Sequence, residues 1–186
     1  MRSLFVLALL LPAPALAQSP ADALHSLAVG MRPTATGVRG ASRGDAVAAL
    51  GAAGASLDCD SLTWLSDEAG VETAQCTGTM SLHGHPAMVV LDFVRYRLPG
   101  VPPREGLDRV SVSSHRDTGF RAWLERDLTR RLGSPDATNG RDRRWHPRDR
   151  WVVLDDPSNQ PCGGLCVPTL WILGEGSPVL SRFPFP

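Results

Sequence analysis

The chain has 186 residues, and its 19 acidic side chains balance its 19 basic ones. This length suits one compact domain or two small ones that share a core. The balanced charge excludes the strong positive field that attracts nucleic acid, so we expect no nucleic acid among its partners.

Residues 1–17 have the pattern of a cleavable signal peptide. Arg2 supplies a positive charge, Leu4 to Leu11 is an unbroken apolar run, and Ala15-Leu16-Ala17 is a typical cleavage site. The run is shorter than the roughly 20 apolar residues of a membrane-spanning helix. We therefore predict a periplasmic or secreted protein that begins near Gln18 and has no transmembrane segment in its mature chain.

Residues 18–41 are predicted to form an N-terminal helix and a connector. Ser19 precedes Pro20 and Asp22, an order typical of a helix whose first turn is capped by the serine hydroxyl. The stretch 32–41 is rich in Pro, Thr, Gly and Arg, which indicates a connector.

Residues 42–116 are predicted to form a first helix-plus-sheet unit. Ser42 and Asp45 repeat the capping pattern before a short helix. The turn of a hairpin is expected in the segment His83–Pro86 and a loop over Pro99–Gly106. Alternating apolar side chains predict the strands, which are Leu57–Leu65, Val71–Leu82, Ala87–Leu98 and Arg109–Ser113.

Residues 117–173 are predicted to form a second such unit, followed by a Gly/Pro-rich tail over 174–186. A helix capped by Asp117 or Thr118 should run to Leu132, because its apolar residues recur every four positions. A hairpin across His146 to Asp149 and a strand over Val167–Leu173 follow. The sequence thus predicts an α+β protein in which a helix followed by antiparallel strands occurs twice in tandem.

The segment Ser42-Arg43-Gly44-Asp45-Ala46-Val47-Ala48-Ala49-Leu50-Gly51 resembles the opening of the short helix in the outer-membrane-assembly lipoprotein E family. The order of a helix and then a hairpin that contains a cysteine pair is similar to the tandem repeats of the β-lactamase inhibitor protein family. This resemblance implies a fold that presents one sheet face to another protein. It carries over no binding residues, because no binding motif of either family is matched.

Four cysteines lie in the part of the chain that we expect to be exported, and an even number in such a protein predicts disulfides. Three pairings are possible. We expect two short local bridges, Cys59–Cys76 and Cys162–Cys166, because each pair lies within one segment. An alternative is a degenerate thioredoxin-like protein, since Cys162 and Cys166 have a CxxxC spacing. That alternative requires a parallel sheet over residues 108–173.

A second set of residues suggests a metal site at the predicted hairpin turn. Imidazole and thioether ligands together suit copper, and the turn is flanked by Met80, His83, His85 and Met88. The cluster forms only if both methionines lie on the same side of the hairpin. The alternative is that both methionines fill the core and both histidines are solvated turn residues.

A third set combines arginines with aromatic residues over residues 141–151. Cations interleaved with tryptophans can bind an anionic envelope component, or they can simply protect a strand edge. Strand alternation would bury the tryptophans and expose the arginines. The candidate interaction residues are Arg141, Arg143, Arg144, Trp145, Arg148 and Trp151.

The sequence contains no Gly-x-Ser-x-Gly nucleophile motif and no carboxylate pair that stands out as acid and base. We therefore expect no enzymatic activity and no cofactor. The favoured hypothesis is an exported binding or interaction protein of the cell envelope. Its partner would be another envelope protein or an anionic envelope component, held by a sheet face or by the Arg/Trp hairpin.

Overall fold

A computed structural model describes residues 18–30, 33–34, 37–38, 40–59, 65–66, 71–96, 104–114, 119–140, 142–148, 150–155, 167–175 and 177. The predicted signal peptide and most of the predicted tail lie outside the described residues. The described part of the chain is α+β, with more residues in strands than in helices. None of its helices is long and apolar enough to cross a bilayer.

The described chain contains three helices and eleven strands. The helices are α1 (Pro20–Ser26), α2 (Arg43–Ala52) and α3 (Phe120–Leu132). The strands are β1 (Pro33–Thr34), β2 (Gly37–Val38), β3 (Ser56–Asp58), β4 (Leu65–Ser66), β5 (Val71–Leu82), β6 (His85–Tyr96), β7 (Arg104–Ser113), β8 (Ala137–Asn139), β9 (Asp142–Trp145), β10 (Arg150–Asp155) and β11 (Thr169–Gly174).

The first two helices begin where their capping serines predict. The Ser19 hydroxyl accepts a hydrogen bond of 3.2 Å from the backbone N–H of Asp22. Ser42 accepts the equivalent bond, also 3.2 Å long, from the N–H of Asp45. These bonds satisfy N–H groups that a helix start leaves without an internal partner. Helix α3 instead begins after Gly119, which makes no side-chain cap, and the cap residues expected for it lie outside the described residues.

Nine strands form one sheet in which every described pair is antiparallel. From edge to edge the order is β3, β5, β6, β7, β11, β10, β9 and β8, with β4 also paired to β5. The last strand of the described chain, β11, therefore lies at the centre of the sheet beside β7. The separate pair of β1 and β2 shows that the connector expected over residues 32–41 contains a small hairpin.

The observed strand boundaries match the predicted ones fully at β5 and less closely at β6 and β7. Strand β5 has the predicted bounds. Strand β6 begins two residues early, because the turn consists of His83 and Gly84, both with positive φ. Strand β7 begins at Arg104, so the loop predicted over Pro99–Gly106 is wrong for its last three residues.

All three helices pack on one side of the sheet, which we call the inner face. Its core joins apolar side chains of the helices, such as Leu24, Leu50 and Leu128, to those of the central strands, such as Leu91 and Ile172. Because side chains alternate along a strand, the intervening residues point to the opposite side. We call that side the outer face; no helix of the described chain packs on it.

A β-bulge anchors the N-terminal segment to the sheet. Asp92 pairs with Arg109 whereas Phe93 pairs with Leu107, so Asp108 is the extra residue of β7. The backbone N–H of Gly30 donates to the Leu107 carbonyl, and the Leu107 N–H donates to Ala41, each at 2.9 Å. Gly30 and Ala41, which lie between α1 and α2, are thereby fixed to β7.

Candidate binding surface on the outer face of the sheet

A polar network crosses three neighbouring strands on the outer face. Gln75 of β5, Asp92 of β6 and Arg109 of β7 occupy directly opposed register positions. One Asp92 oxygen accepts a hydrogen bond of 2.9 Å from Gln75, and the other accepts one of 2.5 Å from Arg109 Nε. The carboxylate is therefore held rigidly, and its charge is compensated by the guanidinium.

Tryptophans continue this network toward the far edge of the sheet. The Arg109 guanidinium lies 5.8 Å from the centre of the Trp171 ring, and that of Arg144 lies 4.5 Å from Trp151. Both distances allow cation–π attraction. Between the two tryptophans, Val153 and Leu173 form a small buried cluster separate from the main core. This end of the outer face therefore carries half-buried aromatic and cationic side chains that surround a fully buried apolar pair.

The other end of the outer face is open to solvent. Thr73, Gln75, Thr77 and Thr79 are all exposed on β5. Beside them Met88 of β6 is 40% exposed, the one large hydrophobic side chain that the described residues leave so accessible. A depression of about 510 Å³ surrounds it, lined by hydroxyl-bearing residues such as Thr79 and Ser113.

The structure divides the predicted Arg/Trp cluster between the two faces. Arg144 and Trp151 contact each other on the outer face, where His146 also stacks on Trp151 with ring centres 3.8 Å apart. Trp145 is buried on the inner face, and its indole N–H donates to the Gly133 carbonyl at 3.0 Å.

The remaining arginines of that cluster have different environments. Arg143 lies on the inner side, where its Nε donates to Glu125 at 3.1 Å. Arg148 occupies the turn with a positive φ of 60°. Arg141 lies outside the described residues. The expectation that alternation buries both tryptophans and exposes all the arginines is therefore wrong: Trp145 and Trp151 point to opposite faces.

The four residues of the proposed copper cluster do not converge. The two-residue turn pairs Met80 with Ala87 and Met88 with Thr79. Met80 consequently lies in the core and Met88 on the outer face. His83 and His85 instead approach Trp123 of α3, with ring centres 6.1 and 5.6 Å away. Among the described residues no group of three His, Cys, Asp or Glu side chains is placed to hold a metal ion.

Of the two expected disulfides, the structure contains Cys59–Cys76. It joins the end of β3 to the middle of β5, on the inner face. Cys162 and Cys166 lie outside the described residues. The described strands within residues 108–173 pair antiparallel, whereas the thioredoxin-like alternative requires parallel strands.

Two titratable groups are buried, one on α1 and one at the bulge of β7. Burial lowers the pKa of His25 on α1 to about 4, with further lowering by the nearby Arg131 and Arg150. Burial raises the pKa of Asp108, at the bulge, to about 6, and the adjacent Arg109 offsets only part of that shift. Both groups are held in the neutral form more strongly than in water.

Gln75, Asp92, Arg109 and Trp171 are outer-face residues that the sequence did not single out. Each is ordinary in its own strand, and only the register of four strands brings them together. Strand alternation places Gln75 and Asp92 opposite the apolar residues of their strands, but it does not identify their partners.

Comparison with known proteins gives no family for this chain. No protein-family model matches it, and no curated protein and no solved structure matches it either. Its function must therefore be inferred from its own geometry.

Proposed function

We propose that the chain is an exported, non-catalytic binding protein of the cell envelope, and that the outer face of its sheet receives a protein partner. The observation that carries the proposal is the composition of that face. Exposed polar side chains of β5 and exposed Met88 adjoin the tryptophans and arginines of β7, β9, β10 and β11. Arg, Trp and Met are enriched in protein interfaces, where Arg and Trp carry much of the binding energy.

Two features support export, either to the periplasm or to the medium. Residues 1–17 have the charge, apolar run and cleavage site of a signal peptide. The Cys59–Cys76 disulfide is the second feature, because such bonds persist mainly in oxidising compartments.

We further propose that two tandem copies of one unit make up the sheet. The first copy is α2 with β3, β5, β6 and β7, and the second is α3 with β8, β9, β10 and β11. In support, each group forms four neighbouring strands in chain order, and their last strands β7 and β11 pair at the centre. This is the kind of arrangement implied by the resemblance to the lipoprotein E and β-lactamase inhibitor families. It would make the outer face one continuous surface across both copies.

An anionic envelope component is the second candidate partner. It is favoured by the contact of Arg144 with Trp151, next to the turn that carries Arg148. This candidate predicts binding that weakens steeply as salt is raised. The copper and thioredoxin-like hypotheses receive no such support, because the hairpin register separates the methionines and the strands are antiparallel.

The proposal is tested by site-specific photocrosslinking of the protein in cells that express it. The processed chain is first identified by its intact mass, which should correspond to a start near Gln18. A photoreactive residue is then placed at Thr77, exposed on the outer face, or at Thr129, exposed on α3. We expect one discrete crosslinked partner from position 77, and recovery of that partner should fall about tenfold when Met88 is changed to Glu.

Position 129 is the matched control, because its side chain is also exposed but lies on the helical side. Crosslinks of equal intensity from both positions would contradict the proposal, as would the absence of any crosslink from position 77. Trp145 is unsuitable for this purpose, because it is buried and its replacement would test packing.

A further inference from the structure

A cleft lies on the helical side of the molecule, away from the outer face. It has a volume of about 780 Å³ and is bounded by the start of α1, the exposed side of α3 and the turn between β5 and β6. Small-molecule sites in proteins have volumes of roughly 300–1,000 Å³. The cleft is therefore large enough for an organic ligand of several rings.

The carboxylates that line the cleft are already compensated by their neighbours. Asp127 of α3 is buried and accepts hydrogen bonds from Arg130 and, at 2.7 Å, from Arg131 Nε. Arg131 also pairs with Asp22 of α1, whose carboxylate accepts a bond of 2.5 Å from the Ser19 hydroxyl. These groups fix α1 against α3, and they do not present unpaired negative charge to the cleft.

Among the described residues that line the cleft, arginines outnumber carboxylates. Arg126 is exposed and pairs with no carboxylate in the part of the chain that the structure describes. Arg130 lies one helical turn further along α3 and keeps 74% of its side chain exposed despite its bond to Asp127. Two like charges four residues apart repel each other. An anion bound between them would relieve that repulsion and accept charge-assisted hydrogen bonds.

An aromatic wall stands beside these cations. Trp123 lies three residues before Arg126, so both project from the same side of α3. His83 and His85 of the hairpin face the indole, the former with its ring only 10° from parallel. The wall thus consists of one ring nearly parallel to the indole and one tilted by 40°, both carrying polar nitrogens. Among the described residues that line the cleft, the aliphatic ones are Pro20 and Ala21.

We propose that this cleft binds an acidic saccharide. A carboxylate of the sugar would pair with Arg126 and Arg130, and the apolar face of the ring would pack on Trp123. A lipid headgroup fits less well, because the acyl chains attached to it need an aliphatic surface that this lining lacks. The site is independent of the outer face, so its failure would leave the protein-binding proposal intact.

The test is calorimetric titration of the purified protein with tri-galacturonate, using its methyl ester as the uncharged equivalent. We expect saturable binding of the acid and none of the ester. Arg126→Gln should weaken binding at least about tenfold, because a hydrogen bond to a charged group is lost. Arg43→Gln is the matched control, since Arg43 pairs with Glu105 outside the cleft, and its affinity should equal that of the unaltered protein.

Trp123→Leu tests the aromatic wall, with the unfolding midpoint of the variant measured to show that it is folded. Unaltered affinity in a folded Trp123→Leu variant would overturn the proposal. So would equal binding of the acid and the ester, no binding at millimolar concentration, or an unaltered affinity in Arg126→Gln. Displacement of the sugar by inorganic phosphate at equal concentration would reduce the site to a simple anion site and would also overturn it.

Discussion

Gly40 lies where the N-terminal segment passes over the bulge of β7. A Cβ atom added there would be 2.1 Å from the carbonyl oxygen of Leu107 and 2.5 Å from its nitrogen. Both of these backbone atoms are already used, in bonds to Gly30 and Ala41. Only glycine therefore fits at this position. The backbone of β7 cannot move away from an added Cβ atom without breaking those hydrogen bonds.

We predict that Gly40→Ala destabilises the fold by about 2 kcal/mol or more, as expected when a close backbone contact is overpacked. Gly51→Ala is the matched control on α2, where nothing lies within 4 Å of the added atom. That change should stabilise the protein by roughly 0.5 kcal/mol, because alanine is the better helix former. Urea unfolding midpoints measure both, and equal midpoints for the two variants would contradict the prediction.

At the scale of elements, the edge strand β3 is held mainly by its attachment to β5. It is only three residues long, and the Cys59–Cys76 disulfide closes a sequence separation of 17 residues between the two strands. A cross-link lowers the conformational entropy of the unfolded chain. For a loop of roughly this length, this stabilises the folded state by about 3 kcal/mol. The bridge thus contributes a substantial share of the stability of a small domain.

We predict that reducing this bridge lowers the free energy of unfolding by about 3 kcal/mol. The measurement is made in a Cys162→Ser, Cys166→Ser background, so that only one cysteine pair responds to the reductant. The same background with Cys59→Ala and Cys76→Ala provides the control, because its unfolding midpoint should not respond to reductant. An unchanged midpoint on reduction of the intact bridge would refute the prediction.

The sequence predicts elements well where the signal is local. Serine caps at Ser19 and Ser42 locate two helix starts, and the strand predicted after the turn over residues 66–70 has the bounds of β5. Prediction from the sequence fails where the local structure depends on pairing with strands that are distant in the chain. The bulge at Asp108 follows from the pairing of β6 with β7.

The candidate site was predicted only in part for the same reason. Arg144 and Trp151 were singled out from the sequence and lie together on the outer face. Their connection to Arg109 and Trp171 required the position of β11 in the sheet, and no local pattern encodes that position.

At the scale of the whole molecule, two buried groups give the stability opposite dependences on pH. His25 is surrounded by Arg131, Arg150, Asp127 and Asp22, and its folded-state pKa of about 4 lies below its ordinary value of 6.5. The unfolded chain therefore binds the proton first, and stability is lost as pH falls from about 6.5 to 4. Asp108 has a folded-state pKa raised from 3.8 to about 6. The stability that neutral Asp108 contributes is fully present below pH 3.8 and is lost as pH rises through 6.

Because these windows overlap, we predict that the two effects largely cancel between pH 4 and pH 6. Each shift corresponds to an effect on the order of 3 kcal/mol. Relative to the unaltered protein, Asp108→Asn should become more stable with rising pH over this range, and His25→Gln less stable. Unfolding free energies measured at several pH values test both slopes. Identical profiles for the two variants would disprove the assignment.

The central position of β11 sets the order in which the protein can be completed. Strands β5, β6 and β7 are neighbours in the chain and can associate as soon as they have been synthesised. Thr169, where β11 starts, comes 56 residues after Ser113, where β7 ends. Until those residues have emerged, β7 has an unpaired edge of hydrogen-bonding groups, which invites association between growing chains. The pairing of β7 with β11, at the middle of the finished sheet, is therefore completed late in synthesis.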